Sequence, residues 1–191
     1  MKPLTLLLLL FTLTGCVAAA IGGAALVTAV VLHDRRSSGA IIDDNAIEIK
    51  SLFKIQDDQA IGEDSHINIE SQNGIVLVTG EIPDKALADH ITWLIEGVTG
   101  VKTVYNELEI TTPSSFESRR SDILLKSRVV FALLQIEEHP DFDPSRVKVI
   151  TENGTVFLMG LIKKMEGDAV ADVARRVSNV KSVIKIFEYV D

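Results

Sequence analysis

The stretch Ile67-Asn68-Ile69-Glu70-Ser71-Gln72-Asn73-Gly74-Ile75-Val76-Leu77-Val78-Thr79-Gly80 decides the fold, because the chain contains it twice. At an offset of 80 residues it reads Val147-Lys148-Val149-Ile150-Thr151-Glu152-Asn153-Gly154-Thr155-Val156-Phe157-Leu158-Met159-Gly160. In both copies an Asn-Gly pair separates runs of alternating β-branched residues. A two-residue type I′ turn needs positive φ at both central positions, which Asn and Gly tolerate best. Each stretch therefore predicts a β-hairpin, with strands 66–72 and 75–81 in the first copy and 146–152 and 155–161 in the second. Gly80 and Gly160 close the second strands and are expected at positive φ or at a close backbone approach.

The duplication extends outward from the hairpins. Val98-Thr99-Gly100-Val101-Lys102-Thr103-Val104 recurs as Val177-Ser178-Asn179-Val180-Lys181-Ser182-Val183 at an offset of 79. Upstream, Asp44, Ile47, Lys50 and Phe53 match Asp122, Leu125, Arg128 and Phe131 at an offset of 78. Such small drift is what loop insertions do to a duplicated unit. Helical patterns precede the hairpins over 44–57 and 120–137, with Asp44 and Asp122 as expected N-caps. Second helices follow over 84–97 and 163–177, then last strands over 102–110 and 181–190. A crossover helix lets the last strand join the hairpin in parallel. The expected fold is α+β: two tandem α-β-β-α-β domains, each a three-stranded mixed sheet with two helices on one face. The domains are placed at 43–111 and 120–191, joined by a linker over 112–119.

The N-terminus carries a separate signal. Lys2, an apolar core from Leu4 to Leu13 and small residues after it have the order of a secretory signal peptide over 1–15. Leu13-Thr14-Gly15-Cys16 resembles the bacterial lipobox, and Cys16 is the one cysteine in the chain. A lone thiol makes no internal disulfide, so acylation is its expected use. The competing reading is a chance cysteine after an ordinary signal peptide. In lipoproteins, aspartate after the cysteine favours inner-membrane retention. Val17 stands here, so the resemblance implies the outer membrane, facing the periplasm. Segment 16–42 is expected to be the acylated cysteine and a membrane-proximal linker. Its apolar part, Val17 to Leu32, is short for a spanning helix and carries the adjacent glycines Gly22 and Gly23, so the expectation is that it lies against lipid or a partner.

Composition and motif spacing exclude several function classes. A net charge of −8 over 191 residues argues against a nucleic-acid binder, which needs a broad basic face. His33, His66, His90 and His139 are scattered without metal-site spacing, and His66, which matches Arg146, is expected on the strand surface. No Gly-x-Ser-x-Gly or phosphate loop is present, and Cys16 is not left as a nucleophile. Glu63-Asp64 and the pair Asp141 and Asp143 read as solvated turn carboxylates. Trp93 is expected to pack at a domain surface. The reading is of a protein that is not an enzyme, with no cofactor and no small-molecule substrate.

The repeated Asn-Gly hairpin, its closing glycine and the late Val-x-x-Val segment resemble the BON domain, a bacterial periplasmic module, over nearly all of 44–191. With the lipobox, the chain is similar to outer-membrane lipoproteins that carry two such domains. The resemblance implies binding of phospholipid, support of outer-membrane integrity, and contact with anionic lipid through the first helix of the second domain.

The residues themselves offer that helix as a site. Leu125, Val129 and Leu133 form a stripe spaced by four that suits burial. Ile123, Leu124 and Val130 lie off it, with Arg119, Arg120, Lys126 and Arg128 nearby. Aliphatic and basic side chains together suit an anionic membrane interface. The alternative is that the apolar residues face the first domain and the cations are ordinary solvated charge. Phe116 is assigned to the linker, which leaves the helix without an aromatic in its first turn. On the sheet face away from the helices, Ile150, Phe157, Met159, Ile184 and Ile186 match Glu70, Leu77, Thr79, Tyr105 and Glu107. Packing against the first domain or an envelope-protein partner would each cover that patch. An outer-membrane protein partner is thus the second functional reading, that of a scaffold touching the membrane only through its anchor.

Overall fold

The computed structural model describes residues 36–62, 64–136 and 142–190. Cys16, the segments 1–15 and 16–35, and His33, Glu63, His139 and Asp141 lie outside the described residues. Each copy runs α-β-β-α-β. The first comprises α1 (Ser38–Gln56), β1 (His66–Gln72), β2 (Ile75–Ile82), α2 (Lys85–Glu96) and β3 (Thr103–Ile110). The second comprises α3 (Phe116–Leu133), a 3₁₀ turn (Pro144–Arg146), β4 (Val147–Glu152), β5 (Thr155–Lys163), α4 (Lys164–Arg175) and β6 (Ser182–Val190).

Both sheets are mixed, as expected. β1 pairs antiparallel with β2 and β3 runs parallel beside β2; β4, β5 and β6 repeat this order. The turns carry the predicted torsions: φ is 54° and 79° at Asn73 and Gly74, and 48° and 81° at Asn153 and Gly154. Gly80 has φ 119°, and a Cβ there would collide with the His66 carbonyl oxygen. Gly160 shows only the close approach, with a Cβ position 2.7 Å from the Arg146 oxygen.

The central strands explain their unbroken apolar runs, because both of their faces are covered. Val76, Val78 and Ile82 of β2 point to a core shared with Ile47 and Ile55 of α1 and Ile91 and Ile95 of α2. Val156, Leu158 and Ile162 of β5 meet Leu125, Val129 and Leu133 of α3 and Val170 and Ala174 of α4 in the same way. The alternate residues of both central strands meet each other. Leu77 packs with Ile150, Phe157, Met159 and Ile186, and Ile75 and Ile184 flank them. The patch on the second sheet is therefore covered by the first module. The layers run helices, sheet, sheet, helices, and burying each large aliphatic side chain between them contributes about 1.5–3 kcal/mol.

The first helices begin earlier than their periodicity suggested. Ser37 and Ser115 are the N-caps, accepting from the backbone N–H of Ala40 and Ser118 at 3.1 and 3.2 Å. Asp44 and Asp122 sit a turn and a half inside, buried, so their assignment as caps is corrected. They satisfy a different set of orphan donors. Asp44 accepts from the backbone N–H of Asn73 and Gly74 at 2.7 and 2.9 Å, and Asp122 accepts from Asn153 and Gly154 at 3.0 and 2.9 Å. A tight turn points these N–H groups inward, and a carboxylate on the packed helix is what bonds them. Helix α1 thus starts within 16–42, and α3 occupies the second half of the expected linker 112–119. α3 also ends at Leu133, short of the expected 137. Among the described residues no helix is long and apolar enough to cross a membrane.

Candidate functional site

Helix α3 presents two faces because its buried positions, Asp122, Leu125, Val129 and Leu133, recur every three or four residues. Everything opposite faces solvent. Ile123, Leu124 and Val130 are 65%, 52% and 40% exposed, and Arg120, Lys126 and Arg128 are exposed as well. Arg119 is half-buried.

Five of the seven expected contact residues line two clefts that flank the helix. Arg119, Ile123 and Lys126 line a cleft of about 300 Å³ on the flank toward the first module, together with His66, Asn68 and Glu70. Leu124 and Arg128 line a second cleft, of about 310 Å³, on the opposite flank with Asn153, Asn179 and Lys181. Between the flanks Arg120, which the sequence did offer, stands on a crest with three residues it did not: Phe116, Phe131 and the C-cap residue Leu134. Phe116 is the first residue of α3 and 76% exposed, which corrects its place in the linker; Phe131 and Leu134 are 64% and 63% exposed. Steps of three and four along 116-120-124-127-131-134 carry this signal, and it is visible only once the helix start is set at 116.

The first module has an apolar crest too. Ile42, Ile49, Leu52 and Phe53 are exposed on α1, so exposed apolar surface is not confined to the second copy. The charge differs instead. Helix α1 holds Asp43, Asp44 and Glu48 against Lys50 and Lys54, three negative and two positive, net −1. Helix α3 holds Arg119, Arg120, Lys126 and Arg128 against Glu117 and Asp122, four positive and two negative, net +2.

Polar contacts bind the two modules at the rim of their shared core. Asn153 donates to Glu81 and Glu109 at 2.9 and 3.0 Å, and Asn73 donates to Glu188 at 2.6 Å. The two hairpin asparagines thus reach across reciprocally, since Glu109 and Glu188 are equivalent positions. Lys148 of β4 pairs with Glu48 at 2.9 Å and with Glu70. Burial lowers the Lys148 pKa, but these two carboxylates outweigh it and hold the ammonium above its ordinary range.

At one end of this interface His66 meets two buried carboxylates. Its Nδ1 lies 3.0 Å from Glu81 Oε2 and 4.0 Å from Glu152 Oε1. The expectation of a surface strand histidine is corrected: the side chain is 21% exposed and in hydrogen-bond contact with Glu81. The histidines lack metal-site spacing along the chain, but in space the ligand atoms of His66, Glu81 and Glu152 lie within 4.8 Å of one another. Burial pushes Glu152 up, and bonds from Asn68 and the charge of His66 only partly offset this. For Glu81 burial acts the same way, yet hydrogen bonds from Asn153, the Ser114 backbone N–H and His66 leave it below its ordinary value. Trp93 is not packed at a domain surface; it is 67% exposed and stacks on His90 with ring centroids 5.8 Å apart.

The chain matches the BON domain over residues 43–112 and 134–191. The second match begins where α3 ends. The outer membrane lipoprotein DolP of Haemophilus influenzae is 41% identical over 179 residues, 94% of this chain and 91% of that one. A 21 kDa hemolysin of Actinobacillus pleuropneumoniae is 34% identical, covering 82% of this chain and 79% of its own length. The osmotically-inducible protein Y of Escherichia coli is 29% identical over 76% of this chain and 72% of its own.

Proposed function

The chain belongs to the BON-domain family and is an outer-membrane lipoprotein; from that footing we propose that it binds anionic phospholipid through the outward side of α3, with acyl chains on Cys16 as its anchor. The observation that carries the reading is the crest of α3, where Phe116, Phe131 and Leu134 stand exposed among Arg120, Lys126 and Arg128. Each cation close to an anionic surface contributes about 1 kcal/mol, and exposed apolar side chains enter the boundary between headgroups and acyl chains. Several acyl chains make a stable anchor where one gives marginal binding. The anchor would hold the modules at the periplasmic side of the outer membrane, where lipid contact supports envelope integrity.

Vesicle sedimentation tests this with a Cys16→Ser form, which has no thiol to acylate. Retention on phosphatidylglycerol vesicles is expected to exceed retention on phosphatidylcholine, and Phe131→Asp or Leu124→Asp is expected to lower it. Equal retention on both vesicles would sink the reading.

A second reading rests on α1. Its exposed Ile42, Ile49 and Phe53 sit beside Asp43 in a helix of net negative charge, which suits an envelope-protein partner better than anionic lipid. Crosslinking in cells from Ile49 and from Phe131 separates the two: protein adducts from the first position and lipid adducts from the second are expected.

A further inference from the structure

We propose that His66, Glu81 and Glu152 form a binding site for a transition-metal dication of the zinc type that clips the two modules together. The three ligand atoms already converge, within 4.8 Å of one another. Glu81 is fully buried and Glu152 nearly so, whereas His66 is partly open. Two ligands come from the first module and one from the second, so the ion would join them across the interface.

The electrostatics leave a charge to be supplied. Two buried carboxylates face one imidazole, which carries at most a single positive charge, so with both carboxylates ionised the cluster is negative in either histidine state. A buried carboxylate without full compensation is costly. Arg119 and Lys126 line the same cleft from α3, but neither appears among the groups that bond these carboxylates in the structure.

The outer oxygens are held by amides, as oriented metal ligands usually are. Asn68 of the first module donates to Glu152 Oε2 at 2.8 Å, and Asn153 of the second donates to Glu81 Oε1 at 2.9 Å. These bonds turn Glu152 Oε1 and Glu81 Oε2 toward His66 Nδ1. The backbone contributes as well. Positive φ at Gly80 brings β2 against the His66 carbonyl, and Glu81 is paired with His66 across the hairpin.

Ligand chemistry selects the ion class. One imidazole nitrogen and two carboxylate oxygens suit zinc and its neighbours, while calcium and magnesium prefer all-oxygen shells of higher number. Three protein ligands leave a fourth tetrahedral position for water, and two of them, His66 and Glu152, line the cleft from which it would enter. The equivalent positions at the other end of the interface are Arg146, Leu161 and Gln72. That end has a built-in cation and no pair of acids, so the site is single.

Zinc chloride titration of the full-length Cys16→Ser chain in detergent micelles, read by competition with a chromogenic zinc indicator, tests the proposal. One zinc per chain is expected at the site, with affinity falling at least tenfold in Glu152→Gln and in His66→Gln. Both variants preserve side-chain size, and circular dichroism checks that they fold. Asn68→Ala is expected to weaken binding about tenfold, and His90→Ala to leave it unchanged. Zinc is also expected to raise the thermal midpoint of the parent and not of Glu152→Gln. Uptake by the parent that is no tighter than uptake by folded His66→Gln would overturn the site.

Discussion

Helices α1 and α3 occupy the same place in their modules, bond the same hairpin turn and bury the same stripe, yet they show solvent different things. Both carry an apolar crest: Ile42, Ile49 and Phe53 on one, Phe116, Phe131 and Leu134 on the other. What separates them is the sign of the charge around it, −1 against +2. Exposed apolar surface marks a contact in either case. On the proposed reading charge assigns the contact, because an anionic bilayer attracts a basic helix and repels an acidic one. Duplication supplied one scaffold and two outward faces.

The comparison breaks most visibly at the buried aspartates. The Asp44 carboxylate accepts from Ser71 and Arg36 besides the two turn amides, at 2.7 and 2.6 Å, while the Asp122 carboxylate bonds the turn amides alone among the described residues. Each buried donor left unpaired costs about 1–3 kcal/mol. Asp44→Ala is therefore expected to lose about 4 kcal/mol and Asp122→Ala about 3, measured by urea denaturation. Equal losses would mean that the extra partners of Asp44 contribute nothing. Burial raises the Asp44 pKa, but the bonds from Gly74, Ser71 and Asn73 and the charge of Arg36 outweigh it, so the folded value lies below 3.8. Its stabilisation is thus present above the unfolded value and is lost as pH falls through the folded one. Asp44→Asn is expected to flatten the acid limb of the stability profile.

Lipid affinity sharpens the contrast next. Arg120→Gln with Arg128→Gln on α3 should cost about 2 kcal/mol, roughly thirtyfold in binding to anionic vesicles. Lys50→Gln with Lys54→Gln on α1 should leave it unchanged. A comparable loss from the α1 pair would erase the distinction between the helices.

The smallest effect concerns a core position. Ser51 is fully buried with its hydroxyl unpartnered, where the second module has Val129. Ser51→Ala removes that hydroxyl and improves helix propensity, so a gain of about 1 kcal/mol is expected in chemical denaturation.

Local signals determined much of this molecule from sequence alone. Asn-Gly turns, period-two strands and the offset repeat depend on neighbours along the chain, and they specified both hairpins, the element order and the mixed sheets. The burial of Leu125, Val129 and Leu133 followed from helical spacing in the same way. Only tertiary structure decided the rest. Asp44 and Asp122 looked like caps because a carboxylate before an apolar run usually is one, whereas their partners lie about 30 residues away on a turn. His66, Glu81 and Glu152 span 86 positions in sequence and meet because two sheets stack face to face. Capping and turn preferences are short-range and survive in a string of letters. Charge compensation across an interface depends on which distant groups are brought together, and that is settled only when the modules pack.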